Sequence, residues 1–109
     1  MTNKMTTRSA TVDLLALELG ERTRWQGNKI SGGPMRGITG LNRGILPEPY
    51  WTAAEDAVYA VYHYETPIVW ETEAGIWYVP NHNYSQMTTT FRNKIVGALE
   101  KIGAEFELI

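Results

Sequence analysis

The sequence predicts an α+β fold, a small antiparallel sheet packed against helices. Three observations predict it. Residues 57–80 form three short runs of β-branched, aromatic and small side chains, broken at Glu65-Thr66-Pro67 and at Glu73-Ala74-Gly75. Phe91, Ile95, Leu99 and Ile102 then recur at helical spacing. Finally, Phe106 and Leu108 alternate with Glu105 and Glu107, the period of a strand with one wet face.

The meander at 57–80 is the centre of this reading. Proline at 67 removes a backbone donor and ends the first run, and Gly75 supplies the left-handed position of a three-residue hairpin. That turn sets a register in which Trp70 faces Tyr78 and Ile68 faces Pro80 on one side, with Glu71 facing Trp77 and Val69 facing Val79 on the other. The first side is apolar and is expected to be core. A carboxylate opposite an indole marks the second as partly wet, which makes Trp77 either a contact residue or a ring packed under the N-terminal segment.

The C-terminal helix is expected over about 89–102, capped by Thr88 or Thr89 and stopped by Gly103, with Val96 widening its apolar stripe. Its apolar side chains are each worth about 1.5–3 kcal/mol when buried, which outweighs the roughly 1 kcal/mol lost to Gly97. The strand at 104–109 then returns to an edge of the sheet. At the other end, Ser9 is placed to cap a helix over about 10–20, with Leu14, Leu15, Leu17 and Leu19 as its apolar positions; partial alternation in 11–19 leaves a strand as the alternative. Residues 1–8 carry no periodicity and are expected to be disordered, leaving 9–109 as a single domain.

Residues 26–44 hold six of the ten glycines and read as a long loop, mobile unless something holds it. Lys29, Arg36 and Arg43 lie on it, a set suited to phosphates, although the glycines satisfy neither the GxxxxGK[ST] nor the GxGxxG spacing. Leu46 to Trp51 is an extended, proline-punctuated approach to the second half, and Thr52 begins a helical turn.

Composition narrows the function. There is no cysteine among the 109 residues, which excludes disulfides, thiol chemistry and thiolate metal sites. No apolar run reaches the length of a membrane span and no signal-peptide pattern follows the polar start, so a cytoplasmic protein without membrane partners is expected. Residues 1–44 carry seven basic side chains against three acidic, and 45–109 three against nine. That asymmetry fits a basic arm for an acidic partner, or a basic segment lying over the acidic half of the same chain. His63 and His82 form no metal-ligand spacing, and no cofactor motif is present. His63 reads as a packed strand histidine. His82, with Asn83, Tyr84 and Ser85, makes a polar cluster ahead of a helix N-terminus and is the better binding candidate.

The segments TPIVW at 66–70, IWYVP at 76–80 and YSQMTTT at 84–90 together resemble a small phage-encoded family of unknown function, whose members carry TPI, a tryptophan two residues on, a second tryptophan strand, tyrosine-serine and a threonine pair. The resemblance covers about thirty residues. Gln86-Met87 lengthens the gap before the threonines, and Phe91-Arg92 stands where relatives often have histidine. A phage origin is what the resemblance implies, with the host cytoplasm as its compartment. The expected function is non-enzymatic: an interaction module that binds or inhibits a host or phage protein through Trp77, the 81–85 loop and the glycine-rich arm. Single-stranded nucleic-acid binding, with strand aromatics stacking bases and Lys29, Arg36 and Arg43 on phosphates, is the alternative, opposed by an acidic sheet half and a pI near 5.6. An exposed edge strand also permits a homodimer.

Overall fold

The computed structural model of the protein describes residues 5–109. Thr11, in extended geometry, accepts the Leu14 N–H on its side chain at 3.1 Å and starts helix α1, Val12–Glu21. Ser9 is therefore not the cap; its hydroxyl accepts the Thr6 N–H at 2.8 Å. Leu15, Ala16 and Leu19 are the buried side of α1, and Arg22 ends it in the left-handed region at φ 52°.

The glycine-rich stretch is not one long loop. It supplies most of a hairpin, β1 (Trp25–Gln26) and β2 (Ile30–Pro34), in which Trp25 pairs with Gly32. Gly32 is required there, because a Cβ would stand 2.3 Å from the Trp25 indole nitrogen. Residues 35–54 then cross one face of the sheet, ending in a 3-10 turn (Glu48–Tyr50) and the short helix α2 (Trp51–Ala54). Three strands follow, β3 (Ala57–His63), β4 (Thr66–Thr72) and β5 (Ile76–Val79), then helix α3 (Gln86–Lys101) and strand β6 (Glu105–Leu108). The six strands form one sheet in chain order, antiparallel except where β6 runs parallel to β5. That pair needs a crossover, and α3 is the crossover. The architecture is α+β, as the sequence predicts.

The hairpin register agrees with expectation where β4 and β5 pair, Trp70 with Tyr78 and Glu71 with Trp77. Trp70 is buried, as expected for the first side, but the second side is not partly wet. Trp77 is 0 % exposed and lies in the main core with Tyr59, Val61, Val69, Val79, Phe91, Ile95 and Leu99, under α1 and α3. It is no surface contact residue. The physical reason is Arg22, which donates from Nε to Glu71 Oε1 at 3.0 Å and from Nη2 to Oε2 at 2.6 Å. A carboxylate neutralised in this way fits beside a buried indole. Tyr59 meets Trp77 edge-on at 5.7 Å, and the Arg22 guanidinium lies 5.7 Å from the indole ring centre. Tyr59 is itself fixed by accepting from Trp25 Nε1 and donating to Thr23 O, its pKa pushed up to about 12 chiefly by burial. Two register shifts, after Ala57 and after Val61, leave Val58 and Ile68 as extra residues, and the second brings Ile68 and Val69 into the same core.

The opposite face carries Ala57, Ala60 and Trp70, covered by Ile38, Leu46 and Ala54 of the 35–54 segment. Backbone bonds tie that segment down, from Met35 N–H to Val58 O, Gly37 N–H to Ala57 O and Ile38 N–H to Ala54 O, at 2.7–3.0 Å. The expectation of disorder over 1–8 falls for residues 1–4 outside the described residues. Met5 O accepts from the Asn28 N–H, and Lys94 Nζ donates to Thr7 O and Ala10 O. No helix among the described residues is long and apolar enough to cross a membrane.

Candidate functional site

Strands β3 and β4 are joined by the two residues Tyr64 and Glu65, with His63 paired to Thr66. Tyr64 takes φ 57°, a conformation that disfavours bulky side chains, and its N–H donates to Lys29 O at 2.6 Å. Lys29 is also left-handed, at φ 69°, and its ammonium sits 5.7 Å from the Tyr64 ring centre. Beside this turn α3 begins. Ser85, extended, caps it by accepting the Thr88 N–H at 3.2 Å, so the helix starts three residues earlier than its apolar stripe suggests. The loop that delivers Ser85 is held from beneath by Arg92, a buried side chain whose Nη1 donates to Pro80 O at 3.1 Å and His82 O at 2.8 Å.

Between the turn and the start of α3 lies a cavity of about 670 Å³. His82, Asn83, Tyr84 and Ser85 line one side; His63, Thr66, Ile68 and Thr88 form its floor; Gly44, Ile45, Tyr64 and Glu65 close the other side. A hydroxyl chain runs along the floor, with Ser85 Oγ 2.9 Å from Thr88 Oγ1, which is 2.8 Å from His63 Nδ1. His63 Nε2 and Tyr84 Oη are buried and have no hydrogen-bond partner among the described residues. Burial, reinforced by the Lys29 charge, lowers the His63 pKa, so the imidazole is neutral at neutral pH. Burial pushes the Tyr84 phenol up to about 12. Two buried polar groups without partners thus belong to residues that line the site. The Ser85 hydroxyl bonds Thr88 rather than a ring nitrogen, and the hydroxyl that does meet His63, that of Thr88, is itself buried. No cluster of His, Asp or Glu suited to a metal ion is found among the described residues.

The polar loop predicted as a binding element, His82 to Ser85, is brought to this cavity intact. Lys29 stands at its edge against Tyr64. Arg43 does not converge on it; its guanidinium stacks 3.4 Å from the Trp51 ring centre, on the strap over the second face. Arg36 is exposed on the same strap and Trp77 lies in the core. The phosphate-binding set is therefore dispersed, and Tyr59, Trp70 and Trp77 are buried rather than offered to bases. Sequence reasoning missed the part played by His63, Thr88, Ile45 and Tyr64. Only the polar character of His63 within an apolar strand signalled it. No protein-family model, curated protein or solved structure matches the chain.

Proposed function

We propose that the protein is a non-enzymatic interaction module of phage origin that docks a host or phage protein, in the host cytoplasm, over the cavity between the β3–β4 turn and the start of α3. One observation carries this reading. Ile45 and Tyr64, 79 % and 58 % exposed, both line the cavity. Exposed apolar side chains grouped around a concave site are the pattern of a docking surface, whereas the same residues scattered singly would need no explanation. The resemblance in residues 66–90 supports the phage origin.

The test is affinity capture from host and infected-cell lysates with the unaltered protein and with Ile45→Asp. Ile45 makes no core contact that a charge would disturb, so the variant keeps its unfolding midpoint while losing the specific partner at least tenfold. Capture undiminished by Ile45→Asp removes this surface as the interface.

A further inference from the structure

We propose that the outer edge of β6 takes up an extended basic segment of a partner protein as a seventh strand of the sheet. No residue of β6 lines the cavity, so the proposal stands whether or not the docking reading does. β6 is last in the sheet order, and only β5 pairs with it among the described residues. Ile109 shows which backbone groups that pairing uses: its N–H donates to Val79 O at 3.0 Å and its carbonyl accepts from the Asn81 N–H at 3.4 Å, so both point inward. Backbone direction alternates along a strand, and the N–H and C=O of Phe106 and Leu108 therefore point outward. An unpaired row of this kind is a template for another strand unless it is short, bulged or covered. The opposite edge, β1, is two residues long. β6 pairs over four residues without a register shift and holds neither proline nor lysine.

The side chains select the occupant. Phe106 packs toward the helical core and Ile109 toward the strap core, so Glu105 and Glu107 stand with Ile109 on the strap face. Both are exposed, and neither joins an ion pair among the described residues. A hollow on the same face, lined by Asp56, Glu73 and Tyr78 without a basic residue, adds to the negative field, and Tyr78 is the residue paired with Glu107. A second copy of the chain is a poor occupant. An antiparallel β6–β6 ladder over the whole strand sets Glu107 against itself or against Glu105, and like charges directly opposite are destabilising. Lysine or arginine at those places turns the repulsion into attraction. Leu108, 64 % exposed, and half-buried Phe106 line the other face. In antiparallel pairing, the partner residues opposite Leu108, Glu107, Phe106 and Glu105 therefore read apolar, basic, apolar, basic. Main-chain bonds supply the affinity of such an added strand, and the alternating side chains choose it.

The experiment titrates the full chain with the end-capped peptide Thr-Val-Lys-Val-Lys-Val-Thr and with a counterpart carrying glutamate for both lysines, following backbone amides by NMR. The lysine peptide is expected to shift the Phe106 and Leu108 amides saturably and to slow their hydrogen exchange. At low salt it should bind about tenfold tighter than the glutamate peptide, a gap that narrows as salt rises. The double variant Glu105→Lys, Glu107→Lys, altered at exposed positions only, should reverse the preference. N-methylating the two valines set opposite Phe106 and Leu108 removes the donors that meet the edge and should abolish binding. Equal binding of the two peptides, binding that survives N-methylation, or no response of these two amides to the lysine peptide overturns the proposal. Protection of Phe106 and Leu108 that grows with protein concentration in the absence of peptide would seat a second copy on the edge and overturn it as well. The Ile45 capture experiment reads the cavity alone, so the two proposals fail separately.

Discussion

The two faces of the sheet are closed by different means. Over one, α3 lays Phe91, Ile95, Ala98 and Leu99 against Val61, Val69 and Trp77, and α1 adds Leu15 and Leu19. Over the other, the 35–54 strap contributes only Ile38, Leu46 and Ala54 as buried apolar residues. What holds the strap is a set of aromatic side chains with polar tips. Trp51 Nε1 donates to Leu46 O at 2.6 Å, Tyr62 Oη to Asn42 O at 2.9 Å and Trp70 Nε1 to Ala53 O at 3.0 Å. The contrast teaches that a sheet face can be covered by periodic hydrophobic matching or by irregular backbone pinned on aromatic donors.

The largest effect should come from the helical face. Trp77→Ala is expected to cost about 3–5 kcal/mol in denaturant unfolding, the range for deleting a buried aromatic. A loss near zero would mean that this face is not the main core. On the strap, Gly37→Ala places a side chain at φ 82° with its Cβ 2.6 Å from Glu55 O. The expected cost is about 1–3 kcal/mol, and hydrogen exchange should quicken across 35–46 ahead of the helical core. Tyr62→Phe removes the bond to Asn42 O and the weaker contact with Met35 Sδ and should cost about 0.5–1.5 kcal/mol; a larger loss would show that the strap depends on single donors more than the contrast implies.

The smallest effect is one of pH. The folded protein holds His63 below its ordinary pKa of 6.5, so the unfolded chain binds the proton more readily. Stability should therefore be unaffected above about pH 6.5 and fall as pH drops below that value until the depressed folded pKa is reached. His63→Phe should flatten this part of the midpoint-against-pH curve. An unchanged slope in the variant would assign the acid sensitivity to other groups.

Periodicity made the helical face legible. The Phe91–Leu99 stripe gave α3, and the Gly75 turn gave the register of Trp70 with Tyr78. The strap face was not legible, because glycine carries no pattern: nothing in ISGGP announces a strand until Trp25 is seen to lie on Gly32. The burial of the second side was hidden by Glu71, whose partner Arg22 is 49 residues away. At the site, the polar run from His82 to Ser85 could be read because it precedes a helix. His63 could not, since its meaning depends on Thr88, 25 positions later, and on the turn that sets Tyr64 beside it.

One feature of the topology bears on how such a chain is made. Helix α3 is synthesised after five of the strands and is the element against which α1 also rests, so the meander leaves the ribosome with its Trp77 side lacking the cover of α3. A nascent chain halted before Gln86 would present that greasy surface to chaperones and to its own copies, which makes the final quarter of the sequence the step that renders the rest safe in a crowded cell.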